Sequence, residues 1–435
     1  MIKKVMILMI FSSLVIPVFS TVSLEDAVKA GILKNSKLKN LILDKNIDKL
    51  KVISGKREKL FKVELNGSYM YRSEKIHMQL PDLNISPQMT IPGMSFDAGS
   101  LHNFDLNLRV TQPVFTGGVL SNSVKILGKK VEMDKSAGDL LKTNISTMVK
   151  SSYYRYKLLH NTELSIEVIK EKIETHKKRV KDFFSEGLSK KSDFIETTLK
   201  LKELELELLN IRAEMNEERN RFFELCGIDV NLVDNRGEII APFEQMAIEK
   251  FFKVHPALTI YKNNKEIINI NKKIVSGSYL PQMVFFSEFH YGRPGINFFE
   301  NEWKFYIQSG ISIKLRLFDW GRLGRKKNVL DYMKLKIRNG EEDFIRSTKI
   351  KIKSLYEKIA ILKRSLGKAS DLISSAIKDS ELKKNLYDEE QISNLDYLDS
   401  LLNIKKYETL KNKIILQLEF VKISVNNLVG EEVDK

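Results

Sequence analysis

Gln112-Pro-Val-Phe-Thr-Gly-Gly118 and Leu317-Phe-Asp-Trp-Gly321 are the two places at which this chain changes its hydrophobic period, with Gly118 and Gly321 standing 203 residues apart. Before each, apolar and polar residues alternate. After each comes a stretch of about seventy residues, Gly118 to Gly187 and Gly321 to Gln391, rich in Leu, Ile, Lys and Glu. The nine prolines leave 114–241 and 295–435 free of the commonest helix breaker. A helix of that length reaches roughly 100 Å at 1.5 Å per residue, far beyond the helices of an ordinary globular domain. Two such helices imply a protein built to span a distance.

Working outward from these joints, the two-residue period is clear on the upstream side. In Val63 to Arg72, Val63, Leu65, Gly67, Tyr69 and Tyr71 alternate with Glu64, Asn66, Ser68, Met70 and Arg72. From Asn103 to Thr111, Phe104, Leu106, Leu108 and Val110 alternate with Asn103, Asp105, Asn107, Arg109 and Thr111, and Pro113 is expected to end the strand. Residues 73–101 hold three prolines, Gly93 and Gly99, and read as a long loop. In the second half Met283, Phe285, Phe289 and Tyr291 alternate with Val284, Phe286, Glu288 and His290. Phe305, Ile307, Ile311, Ile313 and Leu315 then oppose Lys304, Tyr306, Gln308, Ser312, Lys314 and Arg316. Each set predicts a strand with one apolar and one largely polar face.

Downstream, the first long helix is expected to break at Ser185-Glu-Gly-Leu-Ser189. Phe194, Leu201, Leu208, Met215 and Phe222 then recur every seven residues, with Leu204, Ile211 and Leu225 three positions on, as in a coiled-coil seam. The second long helix turns near Tyr387 to Ser393, and Tyr397, Ile404, Leu418 and Val425 pair with Tyr407, Ile414, Val421 and Leu428. Residues 1–20 read as a secretory signal, with Lys3 and Lys4 before an apolar core from Val5 to Phe19. No cysteine follows at which a lipid could be attached. The organisation predicted is a signal peptide (1–20), a first repeat (21–230), a linker (231–247) and a second repeat (248–435). Each repeat is helix, strand, loop, strand, long helix, turn, shorter helix, which is a duplication.

Composition excludes several classes. Apolar content of 43% and charged content of 29% fit a folded, helix-rich chain. The net charge of +16 comes from 72 basic residues spread among 56 acidic ones, without the aromatic–basic cluster of a nucleic-acid binder. Cys226 is the single cysteine, so there is no disulfide framework and no cysteine metal site. Six scattered histidines (77, 102, 160, 176, 255, 290) show no ligand spacing. No metal, no cofactor and no nucleophile–base pair is in view, and the chain is read as not an enzyme.

Strands of about ten residues match the length that a tilted strand needs to cross a bilayer, and closed membrane barrels start at about eight strands. Four strands in one chain require several copies. The alternative is a small soluble sheet capping a coiled coil. Aromatics at the apolar positions (Tyr69, Tyr71, Phe104, Phe289, Tyr291, Phe305) favour the membrane, as an aromatic girdle.

The two joints, the repeat, the Gly187-Leu-Ser-Lys-Lys-Ser-Asp193 turn, His255-Pro-Ala-Leu258 and Tyr279-Leu-Pro281 together resemble the TolC family of outer-membrane efflux proteins, over essentially the whole mature chain. The resemblance implies a mainly α protein with transmembrane β structure: a homotrimer whose twelve-stranded outer-membrane barrel continues as a periplasmic helical tunnel. It implies lipid, a periplasmic adaptor protein and an inner-membrane transporter as partners, and passive passage of substrates in efflux or type I secretion. A periplasmic coiled-coil adaptor or scaffold without a pore is the competing reading.

The resemblance also implies a closure where the helices turn. Asp396 and Asp399 would form a carboxylate ring, Tyr387 a hydrogen-bonding latch, and Ser192 and Asp193 its partners. Ile392 stands where some members carry a latch arginine. Independently of the resemblance, two acids three apart share one helix face, and six around a threefold axis would favour cations and raise some of one another's pKa values. The alternative is that both are ordinary solvated acids in a helix's first turn. Pro113, Gly118, Pro281 and Gly321 are expected at the barrel–helix junction. Inward-facing charges would be Glu64, Asp105 and Glu288 against Arg72, Arg109, Lys304, Lys314 and Arg316.

Overall fold

The structure is a computed structural model that describes residues 22–86, 89–234 and 239–430; the expected signal peptide lies outside the described residues. The elements run β1 (Val22–Ser23), α1 (Leu24–Lys34), α2 (Ser36–Arg57), β2 (Lys62–Tyr71), β3 (Ile76–Gln79), β4 (Leu83–Ser86), β5 (Met89–Ile91), β6 (Ser95–Ala98), β7 (His102–Phe115), α3 (Val119–Ser185) and α4 (Lys191–Cys226). They continue β8 (Val233–Asp234), α5 (Glu244–Val254), α6 (Pro256–Gly277), β9 (Gln282–Arg293), β10 (Lys304–Lys314), α7 (Arg322–Asp388) and α8 (Asn394–Val429). Both α3 and α7 have 67 residues, and both α4 and α8 have 36.

By its contacts the chain divides into two compact units, one from residues up to 41, 137–257 and 344 onward, the other from 42–136 and 258–343. The second unit holds a four-stranded antiparallel sheet in the order β10-β9-β7-β2, with β10 and β2 as edges. Its register places the alternating residues as the sequence predicts. Leu65 lies opposite Leu108, Leu108 opposite Phe289, and Phe289 opposite Ile307, one apolar row across all four strands. The opposite face carries Glu64, Arg109, Glu288 and Gln308 in register. There Arg109 pairs with Glu288 at 2.6 Å, His290 Nδ1 lies 2.9 Å from Asp105, and the His290 ring stacks on Tyr306 at 4.6 Å. On the apolar face Tyr69, Phe104, Tyr291 and Phe305 gather at the loop end of the sheet, where Trp303 stacks on Tyr291 at 5.1 Å.

Five expectations are corrected. Residues 73–101 are not a plain loop: β3 pairs with β6 and, nested between them, β4 pairs with β5. Pro113 does not end its strand. β7 runs on to Phe115, with an irregularity after Pro113, because the pairing with β2 stops at Thr111. Beyond that point β7 has one neighbour only, and a missing N–H is tolerated there. The single helix expected to open each repeat is two helices in both: α1 and α2 divide at Asn35, whose side chain accepts from the Leu38 N–H, and α5 and α6 divide at His255. The last strand closes at Lys314, so Leu315 and Arg316 lie past it. The expected linker also contains β8, which pairs in parallel with β1.

Of the four expected junction residues, Pro113 lies inside β7 and the other three fall at element boundaries. Pro281 directly precedes β9, while Gly118 and Gly321 directly precede α3 and α7 with φ of 78° and 71°. In the first unit Leu201, Leu204, Leu208 and Phe222 of the seven-residue seam are buried, and Phe194, Ile211, Met215 and Leu225 are half-buried. Leu201, Leu204 and Leu208 of α4 pack with Tyr397, Leu401 and Ile404 of α8 and with Ile166, Ile169, Ile173 and Val180 of α3. Cys226 is buried with Phe222 under α1. Among the described residues no helix is long and apolar enough to cross a membrane, and no group of three or more metal-ligating side chains is assembled.

Candidate functional site: the paired helix turns

Both long helices end in the same kind of turn. After α3, the N–H of Leu188 reaches back to the Phe183 carbonyl at 2.8 Å, and Gly187 takes the left-handed conformation at φ 78°. After α7, the N–H of Gln391 reaches the Leu386 carbonyl at 2.8 Å, and Glu390 takes φ 60°. This is the Schellman way of ending a helix, in which one left-handed residue lets the chain double back. Glycine supplies it at no steric cost; Glu390 adopts it against its own preference.

The helices that follow start on matching acids. Asp193 accepts the Lys190 N–H at 3.2 Å, and Asp396 accepts the Ser393 N–H at 3.3 Å. Ser393 completes the reciprocal cap, its hydroxyl accepting the Asp396 N–H at 3.1 Å. Together these bonds satisfy backbone donors that the first turn leaves free. The Ser393 hydroxyl and N–H also hold the Asp396 carboxyl below the usual carboxylate range.

The two turns meet through side chains. Asn394, 3% exposed, donates from Nδ2 to the Asp193 carbonyl at 3.2 Å and to Thr197 Oγ1 at 3.3 Å, while its Oδ1 lies 2.7 Å from His176 Nε2. His176 is buried, with its ring set nearly perpendicular to those of Tyr387 and Tyr397 at 4.9 and 4.7 Å. Burial pulls its pKa down, Asn394 opposes that, and the neighbouring Arg179 adds to it. One helical turn on, Arg179 forms an ion pair with Asp388 at the end of α7.

The predicted residues are therefore placed as follows. Asp396 and Asp399 are exposed and three apart on α8; Asp396 caps its own helix. Ser192 is exposed and donates to Asp193 Oδ1 at 3.3 Å. Tyr387 is 8% exposed, with its ring inside the apolar cluster, and burial raises its pKa. Ile392 packs on the margin of that cluster. Sequence reasoning passed over His176, Asn394, Thr197 and Arg179. The signal for the first two was present: Ile169, Ile173, His176 and Val180 form one helical stripe, and Asn394 extends the Tyr397, Leu401, Ile404 seam backwards. A polar residue on an apolar stripe needs a partner when buried.

No protein-family model matches the chain, and no curated protein matches it by sequence. Solved structures do match. The outer-membrane protein VceC of Vibrio cholerae superposes with a TM-score of 0.75 at 12% identity, covering 94% of this chain and 96% of that one. The fold is that of outer-membrane channel proteins. CusC, described for its transmembrane channel formation, gives a TM-score of 0.76 at 12% identity over 94% of this chain and 93% of its own. The outer-membrane channel CmeC of Campylobacter jejuni gives 0.73 at 13% identity over 96% and 88%. At such identities the channel fold is held by the pattern of strands and helix seams, with little of the sequence in common.

Proposed function

We propose that this protein is an outer-membrane exit duct, passing substrates passively from an inner-membrane transporter and a periplasmic adaptor to the outside. The observation that carries this reading is the sheet: a face across four strands that is largely apolar, its hydrogen-bonded Ser287–Ser309 pair excepted, backed by a polar face with ion pairs. Its two unpaired edges invite pairing between copies. Three copies give twelve strands, enough to close a barrel above the minimum of about eight. The polar face then lines the lumen and the apolar face meets lipid, with the helices continuing the barrel as a periplasmic tunnel.

Internal duplication fits the spacing of the elements. Val119 and Arg322, Lys191 and Asn394, and Gly227 and Gly430 each lie 203 residues apart, whereas Leu24 and Glu244, and Ser36 and Pro256, lie 220 apart. The change of 17 falls between the paired strands, where β3–β6 enlarge the first connection. In this reading the paired turns close the duct, with Asp396 and Asp399 from each copy ringing the axis.

Single-channel conductance of detergent-purified protein in a planar bilayer, beside the double substitution Asp396→Ala and Asp399→Ala, tests this. The expected result is a small cation-selective conductance whose block by divalent ions disappears in the double variant. Protein that remains soluble and monomeric without detergent would overturn the barrel and favour a periplasmic coiled-coil scaffold.

A further inference from the structure

The bridge between the two turns is built differently from a surface latch. Asn394, on α8, is buried and bonds to two other elements at once: His176 on α3, and the Asp193 carbonyl and Thr197 on α4. Thr197 in turn donates to the Asp193 carbonyl at 2.7 Å. The orientation of the network follows from the donors. Asn394 gives both its amide hydrogens to α4, so its Oδ1 is left to accept, and His176 must carry hydrogen on Nε2. Neutral imidazole then has no hydrogen on Nδ1, and Nδ1 has no partner among the described residues.

A second proton would go to that nitrogen. It would create a charged, unsatisfied N–H inside a cage made by Tyr387 of α7 and Tyr397 of α8. The charged groups around it give little relief. Arg179, on α3, is itself a cation, and Asp388 of α7 is already engaged with Arg179. Asp193 and Glu196 of α4 are reached only through Asn394. A buried cation without a partner is expelled at the expense of the packing that holds it.

We propose that the His176–Asn394 bridge is a pin that ties the ends of the two helical hairpins together, and that protonation of His176 releases it. The pin deepens the reading of this end as the closure of a duct. It makes His176 and Asn394 positioning residues for that closure and makes the closed end sensitive to acid. The sign follows from burial: the closed end prefers neutral imidazole, so its stability is complete above the ordinary histidine value near 6.5 and is lost as pH falls from there through the lowered value. Within that window the closed-to-open ratio falls by up to about tenfold per pH unit.

The experiment is hydrogen exchange of the full-length protein in detergent between pH 5 and 8. It is read as protection factors for peptides covering 176–200 and 385–400, with conductance recorded in parallel. His176→Gln keeps a donor for Asn394 but cannot titrate, whereas His176→Phe keeps a ring and removes the bond. Expected is protection that falls on acidification in the natural chain, stays flat and high in His176→Gln, and stays flat and low in His176→Phe. Protection independent of pH in the natural chain, or the same fall in His176→Gln, would overturn the pin. Loss of protection without any change in conductance would leave the pin standing and sink the reading of this end as the gate.

Discussion

Gly117 and Trp320 adopt the same left-handed backbone 203 residues apart, with φ of 60° and 56°, and little else about them agrees. A Cβ on Gly117 would lie 2.2 Å from the Gly277 carbonyl oxygen at the end of α6. Trp320 is 81% exposed, in edge contact with Phe318 at 5.0 Å. The strand-to-helix joint thus imposes the backbone at both places, and the local neighbour decides which residue can sit there. Where α6 presses in, glycine is obligatory. Where no described residue presses in, a tryptophan bears the conformational cost.

The sharpest way to break this comparison is to add a methyl group at the crowded joint. Gly117→Ala should cost about 3 kcal/mol, from the left-handed conformation together with the displacement of backbone at α6. Trp320→Ala should change stability by no more than about 0.5 kcal/mol, as for a surface substitution. Urea denaturation of both purified variants, followed by circular dichroism, checks the pair. A large loss in Trp320→Ala would mean that the indole is covered by a second copy or by lipid, which would sharpen the contrast into an assembly contact.

The two turns repeat the lesson with polar groups. Asn394 and Lys191 are equivalent by spacing, each the first residue of its shorter helix; Asn394 is buried and bridging, Lys191 exposed. Asn394→Leu leaves the Asp193 carbonyl, Thr197 and the His176 donor without their shared partner, which should weaken local closure by about 2–3 kcal/mol. Lys191→Leu should leave it within about 0.5 kcal/mol. Limited proteolysis at 186–190 and 389–393 reads the difference, because cleavage follows the population of the open turn. Equal cleavage in the two variants would dissolve the asymmetry and remove the bridge as the cause.

What could be read in the sequence divides along the same line. The strands, the long helices and the seam were legible because each rests on a period, and Leu65, Leu108, Phe289 and Ile307 fall into one row as alternation requires. The hairpins between β2 and β7 were not legible. Their prolines and glycines at 81, 92, 93 and 99 mark turns, and runs of three or four residues are too short to show alternation between them. Pro113 misled for a different reason: proline ends a strand only where both sides are paired, and pairing of the second neighbour is a tertiary fact. The polar bridge was legible only as an anomaly. His176 interrupts an apolar stripe, but the choice of Asn394 as its partner, 218 residues on, depends on how two hairpins pack.

The smallest predicted effects concern the left-handed residues of the turns, where the comparison between the halves is cleanest. Gly187 has no atom within 4 Å of a built Cβ, so Gly187→Ala meets no clash and should cost only the backbone term, about 1 kcal/mol. Glu390 already bears that term at φ 60°, and Glu390→Gly should relieve it by about 0.5–1 kcal/mol, less whatever glycine adds to the freedom of the open chain. The two substitutions therefore move closure in opposite directions from a common backbone. Joined in one chain, they should nearly cancel if the two hairpins open together, since both act on one equilibrium. If each turn opens alone, proteolysis will rise at 186–190 and fall at 389–393 in the same molecule, and the hairpins would then be joined less firmly than a shared His176–Asn394 bridge requires.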